Sequence, residues 1–157
     1  MRVRTATGSD VPALIVLGRH MHHESRYRDL PFEALRVGFS LHRWIAADAN
    51  RVTVAETKGR MVGAMVSAIG SWYFHGGKQA SDLALYVLPE YRGSRAALLL
   101  VRDFLAWAAA NDCIEATIAT STGINAESAG RFLAHTGFES CGGVFKQRLR
   151  PALGALQ

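Results

Sequence analysis

Six residues, Arg92-Gly93-Ser94-Arg95-Ala96-Ala97, stand between an apolar stretch ending in Leu85-Tyr86-Val87-Leu88-Pro89 and a long run of helix formers. They read as a turn opening a helix. The first N–H groups of a helix have no partner in the helix, and its dipole adds positive potential there. Gly93, Ser94, Ala96 and Ala97 are small enough for a ligand to reach the backbone. Arg92 and Arg95 add cations of the type that pairs with phosphate. Together these residues predict an anion site.

The titratable candidates are fewer. Asp82 lies on the stretch leading to the turn, where a partly buried carboxylate can have a raised pKa and accept a proton. A strand-edge role is its simpler reading. His20, His22, His23 and Glu24 form a polar cluster able to bind a metal or act as a base. However, His20 and His23 share a helix face while His22 points elsewhere, and no zinc spacing accompanies them. A substrate-side loop or solvated helix end is therefore favoured over a metal site. The aromatics Trp72, Tyr73 and Phe74, set among glycines, predict a loop that touches either an acceptor or a second subunit.

Composition narrows the classes. The 157 residues suit one domain, 1–157, with a sizeable core. Hydrophobic residues make up 49% and charged residues 20%, ordinary for a globular chain. No apolar run is long enough for a bilayer, and Met1-Arg2-Val3-Arg4-Thr5 goes straight into a strand pattern. A cytoplasmic protein is expected. Cys113 and Cys141 lack metal or redox spacing. The net charge of +5 is spread over scattered arginines, which argues for a polyanionic small ligand rather than nucleic acid.

The elements that must position these residues follow from periodicity and breakers. Residues 2–6 alternate as a strand. Ser9 or Asp10 caps a helix with Pro12 in its first turn and Val11, Leu14, Gly18 and Met21 facing inward. The polar stretch 22–29 breaks that pattern. Pro31 opens a second helix to about Ala47, with Leu35, Phe39, His42 and Ile45 as its face. Strands 52–55 and 61–69 flank a tight Lys58-Gly59 turn. A strand from Ala80 to Leu88 leads to the signature helix 95–111, with Leu98, Val101, Leu105 and Ala108 inward. A strand 115–120, a helix from Asn125 to His135 and a final strand pair from Gly137-Phe138 to about Arg148 complete the order. The tail Pro151 to Gln157 is weakly specified. This mixture of hairpins and βαβ steps predicts a three-layer α/β/α sandwich around a mixed, mostly antiparallel sheet.

The segment 85–97, with its Val-x-Pro-x-Tyr lead-in, resembles the acyl-CoA signature of the GNAT superfamily of N-acetyltransferases. Arg92 fills the signature's first position and Ala97 its last, while Arg95 replaces the middle glycine. Residues 125–138 resemble the family's second motif in Gly137-Phe138 and the helical alanines. Asn125 sits one residue out of register, and Leu133 occupies the place of a tyrosine that protonates the leaving thiolate in many relatives. The element order matches the family through about residue 148.

The resemblance implies acetyl-CoA as co-substrate and transfer to a primary amine of a small molecule or protein by direct attack. It implies Arg92–Ala97 and Asn125 as cofactor contacts, with backbone groups of Tyr86 and Val87 pairing with the pantetheine arm. Asp82 is the first candidate base and Glu24 the second. His23, Glu24 and Tyr27, between the first two helices, become acceptor-side candidates, joined by Trp72 and Tyr73. Homodimerisation through the aromatic loop is an equal reading. The Leu133 and Arg95 departures keep open a non-catalytic acyl-CoA-binding module on the same fold.

Overall fold

The structure, a computed structural model, describes residues 1–149. The tail expectation for 151–157 therefore lies outside the described residues. Five strands form one sheet in the order β1-β2-β3-β4-β5: β1 (Arg2–Thr5), β2 (Asn50–Thr57), β3 (Arg60–Ser71), β4 (Lys78–Val87) and β5 (Cys113–Thr117). Neighbours from β1 to β4 pair antiparallel, and β4 pairs with β5 in parallel. The helices are α1 (Val11–Glu24), α2 (Ala34–Ala46), α3 (Ala96–Ala110) and α4 (Ala126–His135).

Alternation along the strands builds two cores, one on each face of the sheet. Val52, Val54, Ala64, Val66 and Tyr86 pack with Leu14 and Leu17 of α1 and Leu41 of α2. Ala55, Val62, Met65, Ala80 and Val87 pack with Leu100, Phe104 and Ala108 of α3. The result is the expected three layers. Arg51 and Thr53 of β2 bind the Asp103 carboxylate of α3 at 2.7–2.8 Å, fastening that helix across the sheet.

Local chemistry explains the well-read boundaries. Asp10 precedes α1 and Pro12 sits in its first turn, where a missing N–H costs nothing. Lys58 and Gly59 both take positive φ, 49° and 75°, as the two-residue β2–β3 hairpin requires.

Four expectations are corrected. First, α1 runs through Glu24, so His22, His23 and Glu24 are helical rather than part of a break. Second, α2 turns a different face inward: Gly38 and Leu41 are buried, whereas Leu35 is 93% and Phe39 66% exposed. Gly38 lies against Ile15, where even a Cβ would come within 3.1 Å, so close approach of α1 selects the face rather than side-chain size. Third, β5 spans Cys113–Thr117 rather than 115–120, and its β-branched residues do not make it a buried strand, since it is a half-exposed sheet edge. Fourth, the final strand pair does not form among the described residues: 139–149 are irregular, and Phe145 is 96% exposed. Side chains anchor this segment instead. Lys146 donates to Tyr27 and to the Ser121 carbonyl, and Arg148 pairs with Asp29.

Candidate active site

Parallel pairing of β4 with β5 stops at Ser81↔Thr117. Beyond that point the strands part, and a cleft of about 980 Å³ opens between β4 and the chain leading to α4. The signature turn closes one end of it. Leu88 N–H donates to the Val62 carbonyl at 2.9 Å, so by strand parity the backbone groups of Val87 and Leu85 point away from β3, toward the parted side. Tyr86 lies opposite Ala64, and its backbone belongs to the β3 ladder. Of the two backbone positions expected to face a pantetheine arm, the geometry favours Val87.

The turn's own hydrogen bonding leaves backbone donors free, as the expected anion site requires. Gly93 takes φ +79°, a region open to glycine. Ser94 Oγ donates to the Tyr91 carbonyl at 2.6 Å and accepts from Ala96 N–H at 3.2 Å. Ala96 is thus already engaged and fully buried. Among the described residues, no acceptor takes the N–H groups of Gly93, Arg95, Ala97 or Leu98. Arg95 adopts φ −75° and ψ 0°, which any residue reaches, so the turn forms without the family's middle glycine. Its guanidinium makes no hydrogen bond or ion pair among the described residues.

Arg92 is placed differently. Its Nε donates to the Val87 carbonyl at 3.1 Å and its guanidinium to Glu24 at 2.8 Å, while it lies 5.5 Å from the centroid of the Tyr86 ring. The Tyr86 hydroxyl donates to the other Glu24 oxygen. Burial would raise the Glu24 pKa, but the Tyr86 and Arg92 hydrogen bonds outweigh it and hold the carboxyl below its usual range. Burial and the Glu24 carboxylate push the Tyr86 phenol up. Glu24 is therefore a poor proton acceptor and a good anchor for Arg92.

Asp82 lines the cleft where the strands part. One carboxylate oxygen accepts Ala119 N–H at 2.8 Å, clasping β4 to the chain beyond β5. Burial nonetheless raises its pKa above the ordinary aspartate value, against the backbone hydrogen bonds that lower it. Strict strand alternation predicts Asp82, Ala84 and Tyr86 on one side, and the structure corrects this. Val66 faces Ala84 while Ser67 faces Asp82, leaving Leu83 as an unopposed extra residue. This bulge inverts the alternation. Asp82 falls on the α3 face with Ala80, and Tyr86 on the α1–α2 face.

The remaining candidates divide. Asn125 lines the cleft and leads into α4, with φ 43° and no side-chain cap. Leu133 lines it too and offers no proton. Tyr27 lines a second cavity beside the cleft. His23, Trp72 and Tyr73 line neither cavity. The aromatic residues cap the β3–β4 hairpin, at the end of β4 opposite Arg92.

Sequence reasoning missed the segment 118–124 as a wall, along with Ser128 and His135 of α4. His135 Nδ1 pairs with the Arg131 carbonyl at 2.9 Å, leaving Nε2 available. A β–α connection following a parallel strand was the available signal, since such connections rim clefts in α/β sheets. Among the described residues, no group of three or more His, Cys, Asp or Glu could hold a metal. None of the helices there is long and apolar enough to cross a membrane.

Comparison with known proteins agrees with this architecture. The model of the acetyltransferase (GNAT) family matches residues 19–138. Among solved structures, a transcriptional regulator from Bacillus halodurans C-125 is similar at TM-score 0.79 and 17% identity, covering 94% of this chain and 98% of that one. An aminoglycoside acetyltransferase from an uncultured soil metagenomic sample gives 0.72 and 16%, covering 95% and 98%. A ribosomal-protein-alanine N-acetyltransferase from Brucella melitensis biovar Abortus 2308 gives 0.71 and 14%, covering 94% and 99%. No curated protein sequence matched the chain.

Proposed function

The chain belongs to the acetyltransferase (GNAT) family, and from that premise we propose that it is an acetyl-CoA-dependent N-acetyltransferase acting on a primary amine. The observation that carries the reading is the set of unengaged N–H groups at Gly93, Arg95, Ala97 and Leu98, beside the free Arg95 guanidinium, at the mouth of the cleft. Such a cradle suits a pyrophosphate. The parted β4 edge then receives the pantetheine arm, and Val87 N–H is the donor placed to polarise a thioester carbonyl. Acetyl-CoA supplies the activated acyl group.

Asp82 is the proposed base. Its raised pKa and its place in the cleft suit removal of a proton from the attacking ammonium, directly or through water. Glu24 serves as the anchor that orients Arg92. Tyr73 and Phe74, exposed at the hairpin tip, are the residues a second subunit would cover.

One observation favours a second reading, a non-catalytic acyl-CoA-binding module: Leu133 stands in the cleft where an acid is needed. Calorimetry with acetyl-CoA and thiol release over a panel of amines separate the two. Binding with turnover supports the enzyme, binding without turnover the module, and no binding at millimolar ligand refutes both. Arg95→Glu is the control, expected to weaken acetyl-CoA binding at least ~10-fold, about 1.4 kcal/mol.

A further inference from the structure

The side cavity next to the cleft carries more information than the cleft itself. It measures about 430 Å³ and lies between the C-terminal turns of α1 and the start of α2. Met21 lines both cavities, so they share a wall. Phe32, Val37, Met21 and Gly18 make the side cavity predominantly apolar. His22 also lines it, and both of its ring nitrogens are buried without a partner among the described residues. The ring lies 5.4 Å from that of Phe32. An imidazole must donate from one nitrogen and accept at the other, and a buried polar group left unpaired is costly. Neighbouring groups do not relieve it. Ser25 Oγ is already committed to the His22 carbonyl at 2.9 Å and to Tyr27 N–H at 3.1 Å.

Charge narrows the occupant. The walls of the two cavities hold the carboxylates Asp82 and Glu33 against the guanidiniums Arg36, Arg92, Arg95 and Arg102. Asp82 is clasped by Ala119, and Glu33 is exposed. Arg92 is paired with Glu24 and Arg95 belongs to the turn, so the walls left to an acceptor are near neutral, and one bearing several ammonium groups would have to bury its excess charges unpaired against apolar side chains. An acceptor with one amine on a short arm and an apolar body would not.

We propose that the side cavity is the specificity pocket for the acceptor, and that the acceptor is a monoamine whose body is one aromatic ring bearing a hydrogen-bonding substituent that pairs with His22. This rests on the acetyltransferase reading and deepens it. The ring replaces water against Phe32, Met21 and Val37. Small rotations of the imidazole and the Phe32 ring bring a nitrogen of His22 to the cavity surface, and the substituent supplies the missing partner. The amine remains in the cleft, across the Met21 wall that the two cavities share.

The test uses the whole protein with acetyl-CoA and four probes: 2-phenylethylamine, tyramine, n-butylamine and spermidine. Thiol release gives kcat/KM for each. Burial of one ring is worth ~10- to 100-fold, so both arylalkylamines should exceed n-butylamine and spermidine by at least ~10-fold. Tyramine should lead, and His22→Phe should abolish its advantage over 2-phenylethylamine while acetyl-CoA affinity, read by calorimetry, stays unchanged. Spermidine equal to or better than the arylalkylamines, or a tyramine advantage that survives His22→Phe, overturns the pocket and leaves the acetyltransferase reading standing. Thiol release with none of a broad amine panel overturns both.

Discussion

Glu24 and Asp82 show how environment assigns roles to two like groups. Glu24 accepts from Tyr86 and Arg92 and is held ionised. A carboxyl whose folded pKa is depressed stabilises the fold above its unfolded pKa, and that stability is lost as pH falls through the folded value. Glu24→Gln should therefore cost about 1 kcal/mol at pH 7, given its partial exposure. The difference from the parent protein should shrink in urea titrations as pH falls below about 4. Asp82 behaves oppositely, since burial favours its neutral form. As a base it loses competence as pH falls through that raised pKa. The acidic limb of kcat/KM should thus lie above ~4, and Asp82→Asn should lower turnover ~100- to 10,000-fold and remove the limb. A pH–rate profile of both proteins checks this, and an unchanged limb would leave Asp82 only its clasp on Ala119. Both carboxylates were visible as candidates in the sequence. Their division was not, because it depends on partners 62 and 68 residues away and on one extra residue, Leu83, in β4.

At the level of elements, packing faces decide what substitution costs. Leu41 of α2 is buried with Leu14 and Leu17 of α1, so Leu41→Ala should lose 2–5 kcal/mol, roughly the usual range for a buried leucine. Leu35→Ala, on the exposed side of the same helix, should stay within about 0.5 kcal/mol. Urea denaturation of the two variants tests the corrected face directly. Strands β1 to β4, the β2–β3 hairpin and α3 were legible because alternation, Lys58-Gly59 and the small residues after Gly93 act locally. The α2 face was not, because Gly38 was chosen for its approach to Ile15, a contact no periodicity reveals. The segment 139–149 was misread for a similar reason. Gly137-Phe138 suggests the start of a strand pair, yet the segment is held by Lys146 and Arg148 reaching to Tyr27, Ser121 and Asp29. The β–α connection after β5 signals a cleft rim, but the parting of β4 from β5 was not legible, because it follows from where their pairing ends.

For the whole molecule, a three-layer scaffold holds the turn with its free N–H groups beside the parted strand pair β4–β5. A ligand that binds only the folded state raises its stability by mass action, about 2.7 kcal/mol at a hundredfold excess over Kd. For a chain of 157 residues that corresponds to roughly 5–10 °C in Tm. Saturating acetyl-CoA should produce such a shift, and Arg95→Glu should reduce it. The most direct test of the central claim is a single incubation of the protein with acetyl-CoA and a panel of primary amines, following free thiol and N-acetylated product together. The expected result is thiol release matched one-for-one by an N-acetylated amine and absent when the amine is omitted. Saturable binding of acetyl-CoA with no acetylated product from any amine or peptide would contradict it.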